Sequence, residues 1–313
     1  GFGWADREAR RPAEAGTVFR VGSTTKSVTA MTMMALVDDG RLSLDDFVER
    51  HLPDVRGLRG YARNEPFTYR QLASHTAGLD REPDLEGAAE GPLAGWEGKI
   101  LESIPTTSVT SEPGSRYAYS NIGYGVLGLA ISRAAARPYT ELVTETVLAP
   151  AGMTSSGWLP PEDVAVGYGN WDPDAPVDTT LPAAEHEGRG YKVPNGGLYS
   201  TAGDLLRFAR ELTPHARAEI LSDRARRAML TVHSPLRIGE VYGLGMILTP
   251  GRVGSDTEML AWHDGAVAGY SAMVMVHPDS GTGVAWLRNY NRGPSDMDRI
   301  TNELLSRLVG ERR

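Results

Sequence analysis

One stretch constrains the fold of this chain more than any other. It runs Val21-Gly22-Ser23-Thr24-Thr25-Lys26-Ser27-Val28-Thr29-Ala30 and continues through Met31-Thr32-Met33-Met34-Ala35-Leu36-Val37 to Gly40. Read as a helix starting near Ser23, it is apolar on nearly all sides, through Val28, Met31, Met33, Met34, Leu36 and Val37. A helix of that kind has to be buried in the middle of the molecule. Gly40 stands where a helix C-terminus favours glycine. The same helix sets Lys26 one turn after Ser23, with hydroxyl and ammonium on a shared face. A serine hydroxyl attacks a carbonyl only when a nearby base takes its proton, and a lysine can be that base when burial lowers its pKa. The helix N-terminus adds backbone N–H groups beside the negative charge that develops.

The chain is large enough to bury such a helix: 313 residues allow one large domain or two intertwined ones. With 41% hydrophobic and 23% charged residues it has an ordinary globular composition. The net charge of −8, with no Lys/Arg cluster, argues against nucleic acid as a partner. No apolar run reaches the length of a membrane span. Without cysteine there is no disulfide, zinc–thiolate site or cysteine nucleophile. No metal or other cofactor is expected, and the partner expected is a small-molecule or peptide substrate. The chain begins at Gly1, so a leader is expected to have been removed or left out. The compartment, cytoplasmic or exported, is left open, as is the oligomeric state.

Residues 1–6 and 17–21 read as strand, loop and a short apolar approach to the serine helix. A short helix at 67–72 has Thr68 as its cap, and residues 80–98, acidic and Gly-rich, read as a surface loop bordering a substrate cleft. Ile122–Ala130 is a second apolar helix, and 139–148 continues helically. Residues 154–194, rich in Pro, Gly and Asp, read as a long irregular excursion. Thr201-Ala202-Gly203-Asp204 has capping-box form and opens a helix. The last third holds four strand-like runs, at 242–248, 259–263, 270–276 and 283–287, separated by short turns that imply antiparallel hairpins. A closing helix over 294–308 carries Ile300, Leu304, Leu305 and Leu308 on one face. The fold expected is α+β, an antiparallel sheet flanked by helices with a large, mostly helical insertion. Residues 1–22 with 232–313 form the sheet part and 23–231 the helical part, with the active site at the junction.

Ser-x-x-Lys is cheap by itself, since about one is expected by chance in a chain of this size. Two further motifs follow it in order. Tyr119-Ser120-Asn121 lies 96 residues after Ser23, and His263-Asp264-Gly265 lies 240 after it. Tyr168-Gly169-Asn170 and His186-Glu187-Gly188 have the same form, and the flanking residues decide between them. Glu112-Pro113-Gly114 before Tyr119, Gly123-Tyr124 after it, Trp262 before His263 and Gly269-Tyr270 after it match one known surround. With these surrounds the chain resembles the penicillin-recognising serine hydrolases: class C β-lactamases, D-Ala-D-Ala carboxypeptidases, D-aminopeptidases and family VIII esterases. The resemblance extends over 36–44, 75–79, 150–153 and 195–208, most of the chain, and implies the β-lactamase/transpeptidase-like fold.

The roles this resemblance implies follow the movement of charge in acyl transfer. Ser23 attacks a carbonyl, and Lys26 with Tyr119 accepts its proton, the phenol being usable only if neighbouring cations hold it near phenolate. Tyr119 or His263 returns a proton to the leaving group. The oxyanion sits between the backbone N–H groups of Ser23 and Ala266, the residue after Gly265. Asn121 holds a carbonyl or amide of the acyl side. His75, His51, His215, His233 and His277 read as structural or surface residues.

Asp264 departs from the pattern, for the family's carboxypeptidases and β-lactamases usually carry Thr or Ser there to help bind a substrate carboxylate, while its D-aminopeptidases and esterases tolerate a changed residue. An aspartate repels that group, which favours neutral esters, amides or a substrate carrying an amine. The family's helix and strand ahead of the stretch matching residues 1–3 are not in this sequence, so either the chain is cut short or the ends of the sheet are rebuilt, and only if the helix is truly gone is an exposed apolar patch expected beside the closing helix. The leading reading is a serine hydrolase working through an acyl-enzyme on an ester, amide or D-amino-acid peptide bond. The alternatives are a D-Ala-D-Ala carboxypeptidase or β-lactamase, an acyltransferase or peptide-cyclising thioesterase, and a non-catalytic penicillin-binding sensor. No His-x-His-x-Asp cluster supports a metal-dependent hydrolase.

Overall fold

The computed structural model describes residues 1–169, 176–234, 241–253, 256–291 and 297–310. The serine stretch opens as a 3-10 turn, Gly22–Thr24, and becomes α-helical as α1, Thr25–Asp38. Every residue of α1 from Thr25 to Leu36 is buried. Its polar side chains are satisfied inside the protein, as burial requires. Ser27 Oγ donates to the Gly245 carbonyl (2.6 Å), Thr32 Oγ1 to the Val28 carbonyl (3.0 Å) and Thr29 Oγ1 to the Pro194 carbonyl (2.7 Å). Gly40 takes φ +69° beyond the helix end, as expected of a C-terminal glycine.

The second apolar helix is α2, Asn121–Ala135, capped by Ser120, whose hydroxyl accepts from the Gly123 N–H at 2.8 Å. Thr68 caps the short helix Tyr69–Ala73 with a complete capping box, and Thr201 caps α3, Ala202–Glu211. The excursion at 154–194 is less irregular than expected, because Thr180–Glu187 is helical. Asn170, the last residue of Tyr168-Gly169-Asn170, lies outside the described residues, as does residue 294, the expected start of the closing helix.

The last third is a five-stranded antiparallel meander, one strand more than expected: β1 Val241–Tyr242, β2 Ile247–Val253, β3 Asp256–Val267, β4 Tyr270–His277 and β5 Thr282–Arg288, in that spatial order. The run expected as one strand at 242–248 turns back on itself at Gly245 (φ +76°), so Tyr242 pairs with Ile247. Side chains of β4 alternate between two cores. Ala272, Val274 and Val276 join the large core with α1 and α3, while Met273 and Met275 join a smaller one with Leu305 and Val309. Those two residues belong to α4, Met297–Gly310, whose buried stripe is Thr301, Leu305 and Val309. Ile300 and Leu304 are 51% and 45% exposed, because the stripe follows an i, i+4 line one residue round from the face expected. The strand Trp4–Asp6 pairs with Arg11–Pro12, and Asn289 beyond β5 holds it by donating to the carbonyls of Trp4 (3.1 Å) and Ala5 (3.3 Å). Phe19–Arg20 pairs with Tyr199–Ser200.

What positions the site is the approach of β3 to the turn before α1. A Cβ on Gly265 would stand 1.9 Å from the Val21 carbonyl oxygen and 3.1 Å from Thr24 Oγ1. Gly22, at φ +52°, presents the complementary surface, with the Ala266 nitrogen 2.9 Å from its own Cβ position. Backbone meets backbone there because neither residue has a side chain. Gly265→Ala is therefore expected to push β3 off the turn and cost about 1–3 kcal/mol, read as a lower urea midpoint. An unchanged midpoint would show that the strand can shift freely.

Candidate active site

Ser23, at the N-terminal edge of α1, is half-buried, while Lys26 is fully buried. Lys26 Nζ lies 3.2 Å from Ser23 Oγ and donates to the Asn195 carbonyl at 2.9 Å. Neither partner is a carboxylate, so nothing bonded to the amine compensates a positive charge. Burial is the largest influence on Lys26 and holds its pKa well below the ordinary lysine value, with Glu82 and Asp264 opposing and Arg81 adding to the fall. Burial thus biases Lys26 toward the neutral amine, beside a serine hydroxyl.

Tyr119 immediately precedes the Ser120 cap of α2, and its hydroxyl is hydrogen-bonded to the Ser23 side chain. Lys26 Nζ and Arg81 Cζ each lie 4.9 Å from its ring centroid. Neither group holds the phenol near phenolate. Burial raises its pKa above the usual tyrosine value, outweighing the Ser23 hydrogen bond and Arg81. Asn121 heads α2, and its Nδ2 donates to Glu82 Oε1 at 2.6 Å. Because a carboxylate only accepts, the amide nitrogen must face Glu82, which leaves Asn121 Oδ1 as a buried acceptor with no hydrogen-bond partner among the described residues.

His263, on β3, is fully buried. Its Nδ1 contacts the Asp264 carbonyl oxygen at 2.6 Å, which makes Nδ1 the protonated nitrogen, and Nε2 accepts from the Tyr242 hydroxyl at 2.9 Å. Burial, then Lys26, push its pKa down to about 3. Both ring nitrogens are hydrogen-bonded, so His263 stands as a neutral element of the wall. The Asp264 side chain is 56% exposed, with its nearer oxygen 3.8 Å from His263 Nδ1. Ala266 N and Ser23 belong to the two segments brought together by the glycine contact, the arrangement an oxyanion hole requires.

All eight residues singled out in the sequence thus gather on three adjoining segments. The structure adds Asn195, Arg81, Glu82 and Tyr124, whose ring lies 5.7 Å from Lys26 Nζ, and it brings His75 against Tyr119. Asn195 Nδ2 donates to the Asn121 carbonyl at 3.1 Å, tying the second motif to the acceptor of Lys26. The only signal for His75 and Asn195 in the sequence was their place in stretches matching the family outside its three motifs. The other His-x-Gly does not join the site: His186 lies on the helix at 180–187, between the hydroxyls of Tyr199 and Tyr270.

Comparison with known proteins turns on a family model, that of the beta-lactamases, which matches residues 1–307. The chain belongs to the beta-lactamase family. Among curated relatives of this beta-lactamase-family chain, the D-alanyl-D-alanine-carboxypeptidase/endopeptidase AmpH of Escherichia coli K12 is 28% identical over 249 residues, covering 79% of this chain and 60% of AmpH. The chain therefore spans about 60% of the length of that relative. The octameric penicillin-binding protein homologue from Pyrococcus abyssi superposes with a TM-score of 0.80 at 28% identity, over 99% of this chain and 70% of that one. A D-stereospecific amidohydrolase from Streptomyces sp. superposes with a TM-score of 0.71 at 27% identity, over 87% of this chain and 82% of that one. The fold is β-lactamase/transpeptidase-like, and the named relatives support a hydrolase. No helix among the described residues is long and apolar enough to cross a membrane.

The lowered pKa of Lys26 has measurable consequences. In the unfolded chain an ordinary lysine, with pKa about 10.4, is protonated at neutral pH, so unfolding takes up a proton and stability rises with pH up to that value. Lys26→Met removes this penalty. The variant is expected to be more stable than the parent at neutral pH, with the difference shrinking as pH approaches about 10.4. Denaturant titrations of both proteins across that range measure it, and a difference independent of pH would mean that Lys26 is charged when folded.

Proposed function

We propose that this chain is a serine hydrolase that forms a covalent acyl-enzyme on Ser23 and acts on ester, amide or D-amino-acid peptide bonds. The site lies at the junction of the mostly helical residues 23–231 with 1–22 and 232–313. The observation that carries this reading is the fully buried Lys26 amine 3.2 Å from Ser23 Oγ, with its pKa held well below the ordinary lysine value by burial. As the serine oxygen bonds to the substrate carbonyl carbon, its proton passes to Lys26 Nζ, and the carbonyl oxygen becomes an oxyanion facing the N–H groups of Ser23 and Ala266. Collapse of this intermediate breaks the bond to the leaving group, which takes a proton from the Tyr119 hydroxyl while Lys26 reprotonates Tyr119. Water then repeats the sequence in reverse and frees the acid. His263 supports the wall through the Asp264 carbonyl and Tyr242 and transfers no proton. Asn121 Oδ1, without a hydrogen-bond partner among the described residues, accepts an N–H of the acyl group.

Asp264 decides the substrate class. Its exposed carboxylate beside Gly265 and Ala266 disfavours a substrate whose free carboxylate would lie there, and favours a neutral or amine-bearing one. A second reading, cleavage next to a free carboxyl terminus as the name of AmpH implies for that protein, draws on Arg81, an exposed guanidinium 4.9 Å from the Tyr119 ring.

Intact-protein mass after brief exposure to an activated short-chain ester, a D-alanine anilide and a penicillin separates these readings. A transient adduct from ester or anilide is expected in the parent and absent from Ser23→Ala. Asp264→Thr is expected to raise acylation by the carboxylate-bearing penicillin about tenfold. A long-lived penicillin adduct alone on the parent would overturn the assignment to Asp264. The absence of any adduct would overturn the acyl-enzyme.

A further inference from the structure

His75 stands apart from the other histidines. It is buried, adopts φ +58°, a left-handed conformation uncommon for a residue other than glycine, and sits among four tyrosine rings. The ring centroid of Tyr119 is 4.2 Å away, those of Tyr242 and Tyr124 are at 4.8 Å and 5.0 Å, and that of Tyr117 is at 5.9 Å. Its polar atoms hold the chain on either side of Tyr119. The His75 carbonyl accepts from the Ala118 N–H at 2.7 Å, and its Nδ1 accepts from the Ser120 N–H at 3.0 Å.

We infer that His75 is the positioning residue for Tyr119, gripping the backbone before and after it while its ring lies against the phenol. Because Nδ1 accepts from a backbone N–H, the imidazole proton is on Nε2, and that atom is buried without a hydrogen-bond partner among the described residues. An orphaned buried donor costs free energy, as does the left-handed backbone. An apolar side chain of similar size would fill the space without the first of these costs. What it would lack is the acceptor for Ser120 N–H, whose own hydroxyl is already committed to the Gly123 N–H (2.8 Å) and the Asp80 carbonyl (2.6 Å). Burial, with Lys26 and His263 nearby, holds the His75 pKa well below the ordinary value, so the acceptor stays unprotonated. The clamp also joins two motifs, since Tyr242, packed on His75, donates to His263. A phenol that must meet both Ser23 Oγ and a leaving group needs this registration, because a displacement of about 1 Å can cost 10²-fold in rate.

The inference deepens the acyl-hydrolase reading and rests on it for its kinetic readout but not for its exchange readout. Three variants of the full chain separate the parts of the clamp. His75→Asn keeps an acceptor near Nδ1 and tolerates the left-handed backbone, His75→Phe keeps the ring, and His75→Ala keeps neither. The Ser120 amide is expected to exchange slowly with deuterium in the parent and in His75→Asn, and at least tenfold faster in His75→Phe and His75→Ala. With the activated ester, kcat is expected to fall on the order of 10²-fold in His75→Phe and His75→Ala, with KM nearly unchanged, and to recover to within about tenfold in His75→Asn. Equal exchange and equal kcat in His75→Asn and His75→Phe would overturn the inference, and that pair decides it even if His75→Ala does not fold. If the parent itself forms no adduct, the acyl-hydrolase reading fails, and the Ser120 exchange rates still decide whether His75 holds the segment.

Discussion

The amine of Lys26, placed where water does not reach, is the constraint on which the rest of the structure depends. A charged ammonium there would carry a large desolvation cost, and its two partners, a hydroxyl and a main-chain carbonyl, would repay little of it. Burial biases the amine toward its neutral form instead, and the groups it meets are the Asn195 carbonyl, which accepts from it at 2.9 Å, and Ser23 Oγ at 3.2 Å. Keeping water out requires α1 to be enclosed on every side, and enclosing it requires internal partners for its serine and threonines, which the carbonyls of Gly245, Pro194 and Val28 provide. It also requires β3 to close directly onto the turn holding Ser23, which the Gly22–Gly265 contact permits. The hydrophobicity of one helix and two side-chain-free positions are thus parts of a single device for drying one nitrogen.

The features legible in the sequence are those whose physics is local. The apolar circumference of α1, the caps at Thr68 and Thr201, and the hairpins of the last third depend on residues a few positions apart. Each reads correctly apart from one break in the hairpins. The break in the 242–248 run escaped because a left-handed glycine at 245 and a tolerated one at 243 look alike in a strand-like string. The buried face of α4 was misjudged for a different reason. Ile300 and Leu304 fit a helical period as well as Thr301 and Val309 do, and only the position of the sheet selects between the two lines. Within the site, Ser23, Lys26, Tyr119 and His263 announce themselves through motif spacing. Asn195 meets Lys26 across 169 residues and His75 meets Ser120 across 45, so no local pattern reveals either contact.

The charge states of the site form a pattern that no single residue displays. Lys26, Tyr119, His75 and His263 are all biased toward their neutral forms, and burial is the leading cause in each case. Around them stand exposed ionisable groups, Arg81, Glu82 and Asp264. A neutral interior under a charged rim separates two tasks. The rim sorts substrates by charge, and the interior moves protons without paying for pre-existing charges that would have to rearrange.

That separation bears directly on the direction of proton flow in the proposed reaction. When Lys26 takes the Ser23 proton, it becomes an ammonium in surroundings that disfavour one, at the moment an oxyanion forms beside Ser23 N–H and Ala266 N–H. The two charges arise together and stabilise each other across a short, dry distance. When the oxyanion collapses, that support vanishes and the ammonium is left unfavourable, so it gives its proton up readily. Tyr119, kept as a phenol with its proton intact, passes one on to the leaving group and is refilled from Lys26. The burial that makes Lys26 a usable base in the first half of acyl transfer therefore makes its conjugate acid a usable donor in the second. His263, both of whose nitrogens are engaged, is needed in neither half.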